Sequence, residues 1–150
     1  MIQPLKLYFD NCCSDRLPVE LRLIYSPAHP TLETRHLKQD ELPSTADRDW
    51  LGKIQRQGWV VITCDRGQDR KTYPLPLACK ELGITHVAFS PKLLTKGFQA
   101  QKHALMAVWD ELFLLDRYPA GTQVRLGEDG VTKDGEIRYA LKVVPPRTGE

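Results

Sequence analysis

No apolar run in this 150-residue chain approaches the roughly 20 residues that a membrane-crossing helix needs. No basic stretch followed by a long apolar run precedes the first strand-like segment, so no signal peptide is expected. Both absences predict a cytoplasmic protein with no membrane partner. An excess of one charge sign is lacking too: 21 Lys and Arg stand against 19 Asp and Glu, a formal net charge of +2. That excludes a broad polyanion-coating surface and leaves room for a local basic patch. Cysteine is sparse, limited to Cys12, Cys13, Cys64 and Cys79, with no Cys-x-x-Cys spacing. Adjacent Cys12 and Cys13 are poor disulfide partners, so reduced thiols are expected. His29, His36, His86 and His103 show no helical zinc spacing and are expected to be solvent-facing or hydrogen-bonded. Gly-x-Ser-x-Gly, P-loop and Gly-x-Gly-x-x-Gly patterns are all missing.

What remains is a chain long enough to bury one core without disulfides or a structural metal. Leu5 to Phe9 reads as a short buried strand ending at Asp10. Pro18 to Tyr25 reads as a short helix, although alternation at Val19, Leu21 and Leu23 also suits a strand; Thr31 to Leu37 reads as a second strand. Ser44 and Asp47 stand at capping-box spacing, Trp50, Leu51 and Ile54 share a helical face, and Gly58 is the expected stop. Trp59 to Thr63 is a β-branched central strand running into Cys64-Asp65. A helix over Leu75 to Leu82, a strand over Thr85 to Phe89 and one long helix over Phe98 to Leu115 follow. Asp129-Gly130, Asp134-Gly135 and the alternating Ile137, Tyr139, Leu141 and Val143 predict a terminal β-hairpin. Strands alternating with helices predict an α/β fold with a mostly parallel sheet, whose ligands sit at the carboxyl ends of the strands.

Asp10 and Asp65 each directly follow a strand, so parallel strands bring both to one edge of the sheet. Asp47 opens the helix that leads into the strand ending at Asp65. A helix of about 11 residues spans about 16 Å and a six-residue strand about 20 Å, so Asp47 comes level with Asp65. Taken singly, Asp10 is read as capping a turn, Asp47 as capping its helix and Asp65 as holding a turn with Gly67. Their coincidence at one edge favours a hard divalent cation, because carboxylates gathered together repel unless neutralised. Asp69 is a fourth candidate ligand.

Leu7-Tyr8-Phe9-Asp10-Asn11, Asp47-Arg48-Asp49-Trp50-Leu51 and Val60-Val61-Ile62-Thr63-Cys64-Asp65-Arg66 resemble the PIN-domain superfamily, and within it the small bacterial toxin–antitoxin type. The likeness covers about residues 5 to 116. It implies a three-layer PIN-like fold over residues 1–118, with residues 119–150 as a hairpin extension packed on the same domain. It implies a Mg²⁺- or Mn²⁺-dependent endoribonuclease with Asp10, Asp47 and Asp65 as catalytic metal ligands, joined by Asp69. Thr63 and Asn11 are supporting residues. RNA is the implied substrate and a cognate antitoxin the implied partner. Many members carry Glu where this chain has Asp47, and a shorter acid reaches less far.

Arg66, Arg70 and Lys71 follow the proposed metal site and suit phosphate binding. Tyr73 suits base stacking, whereas Trp50 is expected in the core. Cys12, Cys13 and Cys64 fall near the same edge, where three small buried side chains are the expected reading and a redox or soft-metal role the alternative. The long helix and hairpin are candidate surfaces for a homodimer or an antitoxin segment. The rival to catalysis is an inactive module that binds RNA or protein through the same edge. Phosphoryl transfer to Asp10 ranks below both, because Cys12 stands where that chemistry needs a second Asp.

Overall fold

The computed structural model describes residues 4–40, 45–64 and 75–144. Strand β1 spans Lys6–Phe9, followed by helix α1 (Arg16–Tyr25), β2 (Glu33–His36), α2 (Leu37–Asp40), α3 (Asp47–Ile54), β3 (Val60–Thr63), α4 (Leu75–Leu82) and β4 (Thr85–Phe89). Helices α5 (Pro91–Lys96), α6 (Phe98–Ala107) and α7 (Trp109–Leu112) lead through a 3₁₀ turn to β5 (Gln123–Val131) and β6 (Ile137–Val143). The sheet order is β2-β1-β3-β4-β5-β6. Every neighbouring pair is parallel except β5 and β6. The chain steps from β1 outward to β2, then returns to place β3 on the other side of β1. The crevice between β1 and β3 is therefore the switch point where ligands of open parallel sheets bind.

The central strands are short apolar runs because both faces are covered. Leu7, Phe9, Val60 and Ile62 face a core shared with Leu17, Leu21, Leu105 and Trp109. Tyr8 and Val61, on the alternate positions, face a second core with Trp50, Leu51, Trp59, Ala78 and Cys79. The result is three layers, with α1, α6 and α7 on one side and α3 and α4 on the other. Among the described residues no helix is long and apolar enough to cross a membrane.

Several elements differ from expectation. The single helix expected over Phe98 to Leu115 is broken at Val108, whose φ of −108° and ψ of 17° leave the helical region. The apolar stripe runs through the break, so periodicity did not reveal it; Trp109 then stacks on Tyr25 with ring centroids 3.8 Å apart. Helix α5 was not expected, although Ser90 caps it by accepting from Leu93 N–H and Pro91 begins it. Helix α3 ends before Gly58; the connection turns with positive φ at Arg56 (64°) and again at Gly58 (84°). Its N-cap position is Ala46, with no side-chain cap, and Asp47 is its first helical residue. The proposed capping partner Ser44 lies outside the described residues.

The hairpin forms at Asp134-Gly135, where Thr132 N–H donates to Glu136 C=O and Gly135 N–H to Thr132 C=O. Asp129-Gly130 falls instead at a register shift within the β5–β6 ladder. Because β5 pairs in parallel with β4, the hairpin continues the main sheet.

Candidate metal centre

Asp10 is the last rung of the β1–β3 ladder: its N–H donates to Ile62 C=O at 3.1 Å. The chain then turns, with Cys13 N–H donating back to Asp10 C=O at 2.9 Å. Within this turn Asn11 N–H donates to Asp10 Oδ1 at 2.7 Å, and Cys12 Sγ lies 3.7 Å from Asp10 Oδ2. Burial pushes the Asp10 carboxyl up from 3.8 to about 7, the nearby Cys12 adds to the rise, Asn11 N–H opposes it, and the negative charge of Asp47 raises it further.

Asp47 is held from behind. Buried Trp50, one helical turn on, donates its indole N–H to Asp47 Oδ1 at 3.1 Å. Trp50 is itself fixed by stacking on Tyr8, ring centroids 5.4 Å apart, and the Tyr8 hydroxyl donates to Asp40 at 2.6 Å. The expected cap role of Asp47 is therefore replaced by a bond to its own helix's core tryptophan. Trp50 is core, as its sequence context predicts.

Thr63 closes β3 with its hydroxyl 2.6 Å from His86 Nε2. His86 Nδ1 lies 2.8 Å from Gln123 Oε1, and Gln123 donates its amide to Gly121 C=O. Oε1 can only accept, so Nδ1 carries the ring proton and the Thr63 hydroxyl donates to Nε2. This relay ties β3, β4 and β5 together just below the candidate edge. On the other side, His36 ends β2, accepts from Lys38 N–H at Nδ1 and donates from Nε2 to Cys13 C=O at 2.8 Å. Both histidines are hydrogen-bonded, one of the two expected states; their partners were not foreseen, and the signal available was a histidine inside or ending an otherwise buried strand.

Three thiols meet beside Asp10. The sulfurs of Cys12, Cys13 and Cys64 all lie within 4.8 Å of one another. They are the one group of three or more candidate ligand side chains found among the described residues, the set for which a soft-metal role was the alternative reading. Cys13 is buried, Cys64 half-buried and Cys12 exposed, so the expectation of three buried side chains holds only for Cys13. The hydrogen bond with Cys13 pulls the Cys12 thiol down, but Cys64 and burial outweigh it and push it up to about 12. Hydrogen bonding to Cys12 and Cys64, then burial, holds Cys13 well above the usual thiol range.

Asn11 touches Asp10 through its backbone, and its residue is exposed. Asp65, Asp69, Arg66, Arg70, Lys71 and Tyr73 lie outside the described residues, although Asp65 is the next residue after Cys64 in the chain. Asp10, at the end of β1 with its charged form destabilised by burial, offers the oxygen chemistry that a hard divalent cation prefers.

A family model described as a PIN like domain matches residues 5–84, more than half of the chain and the whole segment from β1 to the end of α4. No curated protein and no solved structure matches.

Proposed function

Because the chain belongs to the PIN-like domain family, a group of nuclease-type or RNA-related modules, we propose that it is a Mg²⁺- or Mn²⁺-dependent endoribonuclease acting as the toxin of a toxin–antitoxin pair. The observation that supports this reading is the position of Asp10 at the carboxyl end of β1, beside the β1/β3 switch point, where burial and, to a lesser degree, the charge of Asp47 raise its carboxyl pKa. Asp10, Asp47 and Asp65 would hold the cation, with Asp69 as a fourth ligand. A cation there would supply Lewis-acid stabilisation of the charge developing on a phosphodiester.

The chain's own residues prepare that site. Asn11 N–H occupies Asp10 Oδ1 and fixes the carboxyl plane, directing Oδ2 toward the thiol side of the crevice. Trp50 fixes Asp47, and Thr63 anchors the end of β3 through His86. Arg66, Arg70 and Lys71 would bind phosphates flanking the cut, supplying affinity without base reading. RNA is the substrate in this reading, and a cognate antitoxin the regulatory protein.

A second reading, a non-cutting module that binds RNA or protein, is favoured by one observation: the three-ligand cluster among the described residues is sulfur, not oxygen. A cleavage assay on single-stranded RNA with Mn²⁺, Mg²⁺ or chelator, paired with RNA-binding measurements, separates the two. The nuclease reading expects metal-dependent cleavage that Asp10→Asn abolishes while its circular dichroism stays native. Full activity in a folded Asp10→Asn protein contradicts it. RNA binding without cleavage under either metal selects the module.

A further inference from the structure

We propose that Cys12, Cys13 and Cys64 form a thiolate site for Zn²⁺, set against the acidic edge so that its occupation withholds Asp10 from a hard cation. The second clause rests on the metal-dependent reading above; the first does not.

The geometry favours an ion over a disulfide. Three sulfurs bound to one zinc at about 2.3 Å lie about 3.8 Å apart. Here Cys12 and Cys13 sulfurs are already 4.0 Å apart and all three fall within 4.8 Å, so closing on an ion takes movements of an ångström or less. A disulfide needs a sulfur separation near 2.05 Å, about half the Cys12–Cys13 distance. The ligands also come from two strands' ends 51 residues apart in the chain, so the meeting is tertiary and not an accident of neighbouring residues.

The surroundings are those of a supported ligand set. Cys64 N–H donates to Cys12 Sγ at 2.9 Å, a bond that stabilises charge on the sulfur. His36 grips Cys13 C=O at 2.8 Å and fixes the turn carrying both adjacent thiols. Exposed Cys12 gives an ion a way in from solvent. On the open side Asp10 Oδ2 stands 3.7 Å from Cys12 Sγ, where it can supply the fourth, oxygen, ligand of a tetrahedral zinc. A zinc so held neutralises the carboxylate that the hard cation would use.

The test is titration of the reduced, anaerobic full chain with Co²⁺, a spectroscopic substitute for zinc, followed by Zn²⁺ displacement. The expected result is one Co²⁺ per chain with a sulfur-to-cobalt charge-transfer band that Zn²⁺ abolishes. Cys12→Ser and Cys64→Ser should each weaken binding at least about tenfold, while Cys79→Ala, in the opposite core, leaves it unchanged. Lack of the band in wild type, or its persistence in the Cys12→Ser/Cys64→Ser double variant, overturns the site. Asp10→Asn separates the two readings: it should keep the charge-transfer band while losing Mn²⁺-dependent cleavage. One equivalent of Zn²⁺ should suppress Mn²⁺-dependent cleavage in wild type but not in Cys64→Ser; equal suppression in both overturns the withholding step while leaving the nuclease reading intact.

Discussion

At its amino end the sheet opens into a hollow of ≈ 540 Å³ beside the starts of β1, β3 and β4, lined by Leu5, Trp59 and Leu112 with Lys6, Arg56 and Asp116 as charged neighbours. At its carboxyl end β1 and β3 run out into Asp10 and the thiols of Cys12, Cys13 and Cys64. This hollow has space and apolar lining but brings two cations and one carboxylate, not a converging set of ligands. The carboxyl end has the chemistry because parallel strands all finish there and the β1/β3 reversal parts the loops that follow them. The hollow and the cluster of candidate ligands thus lie at opposite ends of this sheet, and the contrast can be broken experimentally.

The largest effect is expected from exchanging carboxylates at the two ends. Asp47→Asn should lower metal-dependent RNA cleavage by about a hundredfold, the upper range for disturbing a metal site, while Asp116→Asn in the amino-end hollow stays within about twofold. Comparable losses in both variants would move the site to the hollow.

The next sharpens the electrostatics. In metal-free protein the folded state holds the Asp10 proton more tightly than the unfolded chain does, since its pKa rises from 3.8 to about 7. That contribution to stability is full below about pH 4 and is lost as the pH climbs to about 7. The full shift corresponds to roughly 4 kcal/mol, discounted to about 2 for the solvent reaching the group. Urea unfolding from pH 4 to pH 8 should show this loss in wild type and a flatter profile in Asp10→Asn. Identical slopes would mean that the Asp10 proton is not shifted.

A smaller effect belongs to Trp50, which positions Asp47 without reaching the reacting atoms. Trp50→Phe keeps the ring against Tyr8 but removes the donor to Asp47. It should lower kcat about tenfold with little change in KM for RNA and a reduced affinity for Mn²⁺. A fall in stability alone, with kcat and Mn²⁺ affinity unchanged, would make the tryptophan purely structural.

How much of this was legible before the fold was known depends on the range of each interaction. Leu7-Tyr8-Phe9 and Val60-Val61-Ile62 announce two-sided strands, and the residues after them follow by chain continuity, so the sheet edge bearing Asp10 was readable. Strand β4 and helix α4 carry clean boundaries, with Gly83 at a φ of 71° ending the helix. The break at Val108 was hidden because the apolar stripe continues across it, into Trp109 and its stack on Tyr25. The thiol cluster, the grip of His36 on Cys13 and the Thr63–His86–Gln123 relay each join residues more than 20 positions apart. That Cys12, Cys13 and Cys64 come to one edge was readable from the strand ends; the histidine partners depend on register and were not.

The central claim is that Asp10 and Asp47 share a divalent cation at the carboxyl end of β1 and β3. Anomalous diffraction from a Mn²⁺-soaked crystal reads it directly. A manganese peak bonded to oxygens of both Asp10 and Asp47 is the expected result. A map with no peak there, or with manganese held elsewhere and neither carboxylate coordinated, contradicts the account.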